Sequence, residues 1–173
     1  RKAQLSNLRK DINIVSMRGN IDTRIDKLKN GEFDAIILSL AGLKMLHLEK
    51  EAKEIFSDEQ MLPAIGQGAI ALQCRLDDQK TLDILKMIND QESYCCIQAE
   101  RALLEAIGGD CDTAVGGLAK LWNNKIILKS ELFSSDGSKK FVAEGSGNFK
   151  EAEKIGYKVG KELLKKAGPD FKV

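Results

Sequence analysis

The stretch QESYCCIQAERALLEAIGGDCDTAVGGLAKLW, residues 91–122, decides the fold because it predicts a helix, an abrupt stop and the start of a sheet. Apolar residues from Ile97 to Ile107 recur at helical spacing, and the glycine pair at 108–109 is a natural helix end. The run TAVGGLAKLW that follows is typical of a strand. The change of pattern therefore predicts a helix–turn–strand unit with Cys111 in its turn.

The residues after this unit continue the sheet. KIILKSELFS and KKFVAEGSG are strand-like, and the connections at 123–125 (NNK) and 134–140 (SSDGSKK) predict two hairpins. An amphipathic helix is expected at 151–168 and another at 79–90. The pattern predicts an α+β domain over 88–173, with a three-stranded antiparallel sheet and helices.

The residues before residue 87 have a different pattern. INIVSM (12–17) and FDAIILSL (33–40) are short apolar runs that predict buried strands, and Ile21, Ile25 and Leu28 between them fall at helical spacing. Strand, helix and strand in series favour a βαβ unit with parallel strands. The first part of the chain is therefore expected to be α/β, and AIALQCR is interpreted as one further strand.

Composition excludes several classes of protein. An apolar share of 43% in 173 residues suffices for a core, and 31% charged residues without low-complexity tracts argue against disorder. No run of 18 apolar residues predicts a membrane span. Residues 1–30 contain eight Lys and Arg against three Asp, which can attract an anion. Aromatic residues make up only 5% and do not interleave with these cations, so nucleic acid is not expected as a partner. The start at Arg1 without methionine is interpreted as a piece of a longer protein.

Four cysteines raise the question of metal or nucleophile chemistry. No CxxC pair occurs and His47 is the only histidine, so neither a metal site nor a Ser/His/Asp arrangement is predicted. We interpret the first three cysteines along the chain as reduced core or surface thiols of a cytoplasmic protein. Cys111 lies between Asp110 and Asp112, which have the wrong sign to stabilise a thiolate. Cys111 either has no chemical role or has a role that needs no permanent thiolate.

Two segments combine features of an anion site. RGNIDTR places Arg18 and Arg24 at a predicted strand end and helix start, where unpaired N–H groups and forked guanidinium donors suit carboxylates. An ion pair of Arg24 with a neighbouring aspartate is an equally good interpretation. PAIGQGA places Gln67 on a glycine-flanked turn. Either the Gln67 amide contacts a ligand, or the glycines are there because two chain segments cross closely. Gly42 follows the second predicted strand at a helix start.

Together these segments resemble one family. RKAQL, RGNIDTRIDKL, GEFDAIILSLAGLKML, LPAIGQGAIALQCRLDD and AERALLEAIGGDC, in this order and spacing, are similar to hydroxymethylbilane synthase, also called porphobilinogen deaminase. The resemblance implies three domains. Residues 1–68 would belong to the second, periplasmic-binding-protein-like α/β domain, 69–87 would return to the first domain, and 88–173 would form the third. The first domain supplies the catalytic aspartate, so no catalytic residue is expected in this chain.

The resemblance also implies an activity and a cofactor. The family joins four porphobilinogen units with release of ammonia, using a dipyrromethane primer attached to one cysteine by a thioether. Here that cysteine matches Cys111, whose sulfur would be a neutral tether and need not be a thiolate. Arg1, Arg18 and Arg24 would bind the carboxylates of the growing polypyrrole chain, with Gln67 and Gly42 lining the pocket. A cytoplasmic monomer that partners the missing first domain is expected.

Some residues depart from the family pattern. Met45 stands where an arginine is frequent, Asp110 replaces the glycine or serine before the cysteine, and Ala114 replaces a proline. Without the first domain, the 173-residue chain is expected to lack both deaminase activity and cofactor. The alternative from another class is a non-catalytic module that binds small anions, which offers no reason for Cys111.

Overall fold

The computed structural model describes residues 1–110, 112–169 and 171. Cys111 therefore lies outside the described residues. The helices and strands found within them are α1 (Lys2–Leu8), α2 (Ile21–Lys29), α3 (Leu40–Met45), α4 (Gln79–Ile88), α5 (Gln91–Ile107), β1 (Val115–Trp122), β2 (Lys125–Phe133), β3 (Lys140–Asn148) and α6 (Ala152–Ala167). Short 3₁₀ turns lie at Glu49–Glu51 and Phe149–Glu151.

Helix α5 begins and ends where the sequence predicts. The carboxylate of Asp90 accepts a hydrogen bond from the Ser93 amide at 2.7 Å, which caps the first turn. The helix stops because Gly108 adopts φ +69°, and the Gly109 amide then donates to the Leu104 carbonyl at 3.1 Å. The chain is thereby turned toward β1 within a few residues.

The three strands form the predicted antiparallel sheet in the order β1-β2-β3. Trp122 pairs with Lys125 across a two-residue turn whose Asn123 and Asn124 have φ +47° and +60°, values that asparagine tolerates better than most residues. The second hairpin closes where Phe133 pairs with Lys140.

Asp136 organises the turn of that second hairpin. Its carboxylate accepts hydrogen bonds from the Ser134 hydroxyl at 2.5 Å and from the Ser138 amide at 3.0 Å. These hydrogen bonds, the one from Ser134 first, lower the pKa of Asp136 to about 2. The turn is therefore closed by a side chain that remains ionised down to acidic pH.

The main core lies between the sheet and the helices α5 and α6. The side chains that are fully buried there come from α5, β2 and α6: Leu103, Ile126, Leu128, Leu132, Val159 and Leu163. Buried and exposed residues alternate along most of β2, so one face of the sheet carries the core. Ser130 is the polar member of this face, and its hydroxyl donates to the Ala143 carbonyl at 2.8 Å.

Glycines let α5 and α6 approach each other closely. A Cβ added at Gly156 would overlap the Ala99 carbonyl oxygen, and one added at Gly160 would lie 2.7 Å from the Ala106 Cβ. Real Cβ atoms do not come this close to neighbouring atoms, so both positions require glycine. The helix pair is therefore held at a separation that larger residues would not allow.

The chain divides into two compact units. One consists of Arg1–Lys10 and Asp58–Val173, and the other of Asp11–Ser57. The second unit contains α2 and α3, with Ile25 and Leu43 as its buried apolar side chains. The domain bounds expected from the resemblance remain a prediction.

The α/β expectation for the first part is not confirmed. The helix predicted after 12–17 forms as α2, but none of the described residues in 12–17, 33–40 or 69–75 is assigned to a strand, so those three strand predictions were wrong. A β-strand needs a neighbour for its backbone N–H and C=O groups, and these runs have none in the described chain. Val15 is accordingly 55% exposed and Ile70 91% exposed.

The substitution Gly156→Ala tests the close helix approach. Alanine favours a helix by about 1 kcal/mol over glycine, whereas overpacking costs about 1–3 kcal/mol. Because the new Cβ overlaps a backbone carbonyl oxygen of α5, the overpacking cost lies at the upper end of this range, and we expect a net loss of about 2 kcal/mol in the free energy of unfolding, measured by chemical denaturation. Lys158→Ala, on the exposed side of α6, is the control and should change stability by less than about 0.5 kcal/mol. A Gly156→Ala protein as stable as the parent would contradict the packing described.

Candidate functional site

The residues expected at the site fall in both units. Arg18, Arg24 and Gly42 belong to Asp11–Ser57, whereas Arg1 and Gln67 belong to the other unit.

Arg24 is held at the first turn of α2. Its Nε donates to the Gly19 carbonyl at 2.8 Å, so the guanidinium is fixed while its Nη groups remain for another acceptor. No ion pair joins Arg24 to Asp22 or Asp26 among the described residues, and Arg18 is exposed. Asn20 caps α2 without a side-chain hydrogen bond. The arrangement offers forked donors beside the positive end of a helix.

Gly42 brings the first turns of α3 and α2 together. A Cβ at this position would lie 2.6 Å from the Ile21 Cδ1 atom. The Ser39 hydroxyl accepts a hydrogen bond from the Gly42 amide at 3.4 Å and caps α3. Close approach thus gives Gly42 a packing role in addition to any contact with a ligand. Met45, at the end of the same helix, is 82% exposed.

The PAIGQGA segment forms a tight turn that presents Gln67. Gly66 and Gly68 have φ +70° and +97°, which glycine adopts without strain. The Gln67 amide donates to the Ala64 carbonyl at 3.0 Å, and the Gln67 Oε1 accepts from the Ala64 amide at 3.1 Å. The side chain is exposed, so its Nε2 hydrogens are available to a ligand.

Glu100 is a functional candidate that the sequence analysis missed. It is 4% exposed, and its carboxylate accepts hydrogen bonds from the Gly66 amide at 2.7 Å and from the Ala119 amide at 2.9 Å. Burial raises the pKa of Glu100, while these two hydrogen bonds act in the opposite direction. The available signal was its helical spacing, which puts Glu100 on the same face of α5 as Leu103 and Ile107.

Helix α1 is attached beside the same segment. The buried Gln4 amide donates through Nε2 to the Leu62 carbonyl at 2.8 Å and accepts through Oε1 from the Leu62 amide at 3.0 Å. Asn7 donates to the Gly137 carbonyl at 3.0 Å. Arg1 precedes this anchored helix and is exposed. Its placement thus depends on a two-point amide contact with the residue just before PAIGQGA.

The turn around position 111 is closed by its flanking residues. The Asp110 amide donates to the Thr113 hydroxyl at 2.9 Å, and the Asp110 carboxylate accepts from the Asp112 amide at 2.9 Å. Asp110 and Asp112 are both exposed. The aspartate that departs from the family pattern therefore acts as a turn-forming acceptor. Cys111 itself lies outside the described residues.

Of the three described cysteines, one has surroundings that disfavour its thiolate. Cys74, Cys95 and Cys96 are free thiols. Burial first, and then the negative charge of Glu100, raises the pKa of Cys96, which disfavours its thiolate. Within residues 1–110, 112–169 and 171, no group of three His, Cys, Asp or Glu side chains is arranged to hold a metal. No helix of the described part is long and apolar enough to cross a bilayer.

Comparison with known proteins gives two family matches. Residues 1–83 match the model described as porphobilinogen deaminase, dipyromethane cofactor binding domain, and residues 94–165 match porphobilinogen deaminase, C-terminal domain. The curated porphobilinogen deaminase of Ehrlichia chaffeensis is 44% identical over 164 residues. That alignment covers 95% of this chain and 55% of the relative, so the chain spans about half the length of the curated relative that it matches.

The substitution Thr113→Val tests the closure of the cysteine turn. Valine keeps the shape of threonine but removes the acceptor of the Asp110 amide. We expect amide hydrogen exchange at Asp110 to accelerate about tenfold, which corresponds to about 1.4 kcal/mol for one hydrogen bond. Thr81→Val removes a similar hydroxyl contact, to Asp78, at the start of α4 and should leave exchange at Asp110 unchanged. Equal exchange rates in both variants would show that Thr113 does not close the turn.

Proposed function

The chain belongs to the porphobilinogen deaminase family, and we propose that it forms the cofactor-tethering and carboxylate-binding part of a hydroxymethylbilane synthase. Such an enzyme joins four porphobilinogen units head to tail, releases ammonia at each step and frees the linear tetrapyrrole with water. The observation that carries this proposal is the match of residues 1–83 to a dipyrromethane-binding domain. Cys111 follows within the matched C-terminal domain and would hold the dipyrromethane through a thioether.

The residues beside Cys111 suit a thioether. A thioether sulfur is neutral, so the negative charges of Asp110 and Asp112 impose little penalty on it, whereas they would oppose a thiolate. The Asp110 carboxylate is already engaged by the Asp112 amide, and both aspartates are exposed. Once bound, the dipyrromethane supplies the primer to which the growing chain is attached. The turn supplies an anchor that keeps the chain in reach.

The arginines suit the charge of the substrate. Each pyrrole unit carries an acetate and a propionate group, so a growing polypyrrole is a polyanion. Arg24, fixed through Nε to Gly19, would bind one carboxylate through its Nη groups, and the exposed Arg18 would bind another. Arg1 would contribute a further guanidinium, and Gln67 and Gly42 would line the pocket. These residues bind and orient; no Asp or Glu of this chain is assigned to proton transfer.

We propose that further protein completes the α/β domain and supplies the catalytic aspartate. Residues 69–87 would pack against a first domain, because Ile70 and Leu76 are 91% and 95% exposed and α4 has no buried residue. On this proposal the 173-residue chain alone neither turns over porphobilinogen nor carries dipyrromethane.

A cytoplasmic location and a monomeric state complete the proposal. The free thiols of Cys74, Cys95 and Cys96 fit a reducing compartment. One tethering cysteine would hold one growing chain in one cleft. A single polypeptide can form such a cleft, so no second copy is needed.

The substitution Cys111→Ser tests the tether. In the longest natural form of the protein that contains these residues, intact-mass measurement should find the dipyrromethane adduct in the parent and none in Cys111→Ser. Turnover of porphobilinogen should fall roughly 100-fold or more, because the tether supplies the effective concentration. Cys74→Ser is the matched control and should keep both adduct and activity. A pyrrole colour with Ehrlich's reagent that remains on the Cys111→Ser protein would contradict the assignment.

The substitution Arg18→Ala tests carboxylate binding. Arg18 is exposed, so we expect little change in thermal stability. Loss of a charged hydrogen-bond donor should raise KM for porphobilinogen about tenfold, which is about 1.4 kcal/mol. Lys27→Ala removes a cation from the later part of α2 and should leave KM unchanged. The proposal for Arg18 fails if the two variants have the same KM as the parent.

A further inference from the structure

We propose that Glu100 is a positioning residue that fixes the turn carrying Gln67 against helix α5 and strand β1. The inference rests on the proposed function in one respect, which is that Gln67 faces the ligand. Glu100 itself touches no reacting atom in this proposal. Its carboxylate acts through the backbone of the neighbouring Gly66.

The geometry of Glu100 joins three parts of the chain. The side chain projects from α5, its Oε2 accepts from the Gly66 amide at 2.7 Å, and its Oε1 accepts from the Ala119 amide in β1 at 2.9 Å. Each oxygen therefore serves a different segment. Glu100 itself is 4% exposed; its contact with the Ala119 amide is buried, and its contact with the Gly66 amide is half-buried.

Only a glutamate satisfies both contacts. An apolar side chain would remove the acceptor of both N–H groups, one in a buried and one in a half-buried place, which is costly above all for the buried Ala119 amide. Glutamine has one carbonyl oxygen, and its NH₂ group would face the second amide as donor against donor. Aspartate keeps both oxygens but is one methylene shorter. A buried carboxylate is itself unfavourable, so its presence indicates that both hydrogen bonds are needed.

The turn follows Gly66 as one piece. Gln67 directly follows Gly66 in the chain and is hydrogen-bonded to Ala64 across the turn, so a shift of Gly66 moves Gln67. The Pro63 carbonyl accepts separately from the Gly117 amide at 3.0 Å. Loss of the Glu100 contacts therefore leaves the segment attached to β1 at Pro63 but removes the hydrogen bond that fixes Gly66, the residue before Gln67.

The substitution Glu100→Gln tests this role, and Glu100→Asp provides a second variant that keeps the charge but shortens the reach. Hydrogen exchange at the Gly66 and Ala119 amides is measured on the protein in its longest natural form, together with KM and kcat for porphobilinogen. We expect exchange at the Gly66 amide to accelerate about tenfold or more in at least one of the two variants, with faster exchange at Ala119 in at least one of them. KM should rise about fivefold while kcat changes less than about twofold, because positioning a binding group affects ground-state binding.

Two further variants separate positioning from general stability. Ser130→Ala removes another buried hydrogen bond of the same unit, to Ala143, far from the turn in sequence, and should lower thermal stability without changing KM. Gln67→Ala should raise KM, and adding Glu100→Gln to it should raise KM no further if Glu100 acts through Gln67.

The outcomes distinguish this inference from the function on which it rests. Unchanged exchange at Gly66 in both Glu100 variants, or effects on KM that multiply with those of Gln67→Ala, would overturn the positioning role. A KM increase of the same size in Ser130→Ala would reduce Glu100 to a structural residue. Absence of porphobilinogen turnover in the parent protein would overturn the proposed function, and hydrogen exchange would still decide whether Glu100 holds the turn.

Discussion

The close approach of α5 and α6 is the constraint on which the larger unit depends. At Gly156 the backbone of α6 lies against the Ala99 carbonyl of α5, where no Cβ fits. This contact sets the position of α5, and α5 supplies three different things. One face carries Leu103 into the core, the same face carries the Glu100 carboxylate to the turn before β1, and its C-terminal end leads through Gly108 to the cysteine turn. Packing and site geometry thus share one rigid element.

The hydrogen bonds of Asp110 explain why a negative residue precedes Cys111. Asp110 would be a poor neighbour for a thiolate nucleophile. It is a good acceptor for the amide of the residue that follows Cys111, and with Thr113 it closes a compact turn. A sulfur that serves as a covalent anchor needs a defined and accessible place more than it needs a depressed pKa. The local chemistry is therefore consistent with tethering and would be unusual for a free reactive cysteine.

The sequence predicts most of the C-terminal part because its signals are local. The helix stop at Gly108 and the hairpin connections at 123–125 and 134–140 each depend on residues that are neighbours in the chain. Glu100 was missed because its partners, Gly66 and Ala119, are remote in sequence and are backbone groups. No pattern of residue types in the sequence indicates that a side chain accepts a hydrogen bond from a distant backbone amide. The same holds for Gly42, whose contact with Ile21 depends on how two short helices meet.

The expected strands in the first part failed for the opposite reason. Apolar runs such as 12–17 indicate burial, but a strand also requires a neighbouring backbone, and the described chain provides none. Where partners exist, as along β2, Leu128 is fully buried; where they do not, Leu76 is 95% exposed. Burying an apolar side chain of this size contributes about 1.5–3 kcal/mol, so the exposed side chains of Val15, Ile70 and Leu76 lack a stabilisation that the buried side chains of β2 gain. An apolar run therefore predicts burial only where the chain supplies a partner surface, as it does for the core between α5, α6 and the sheet.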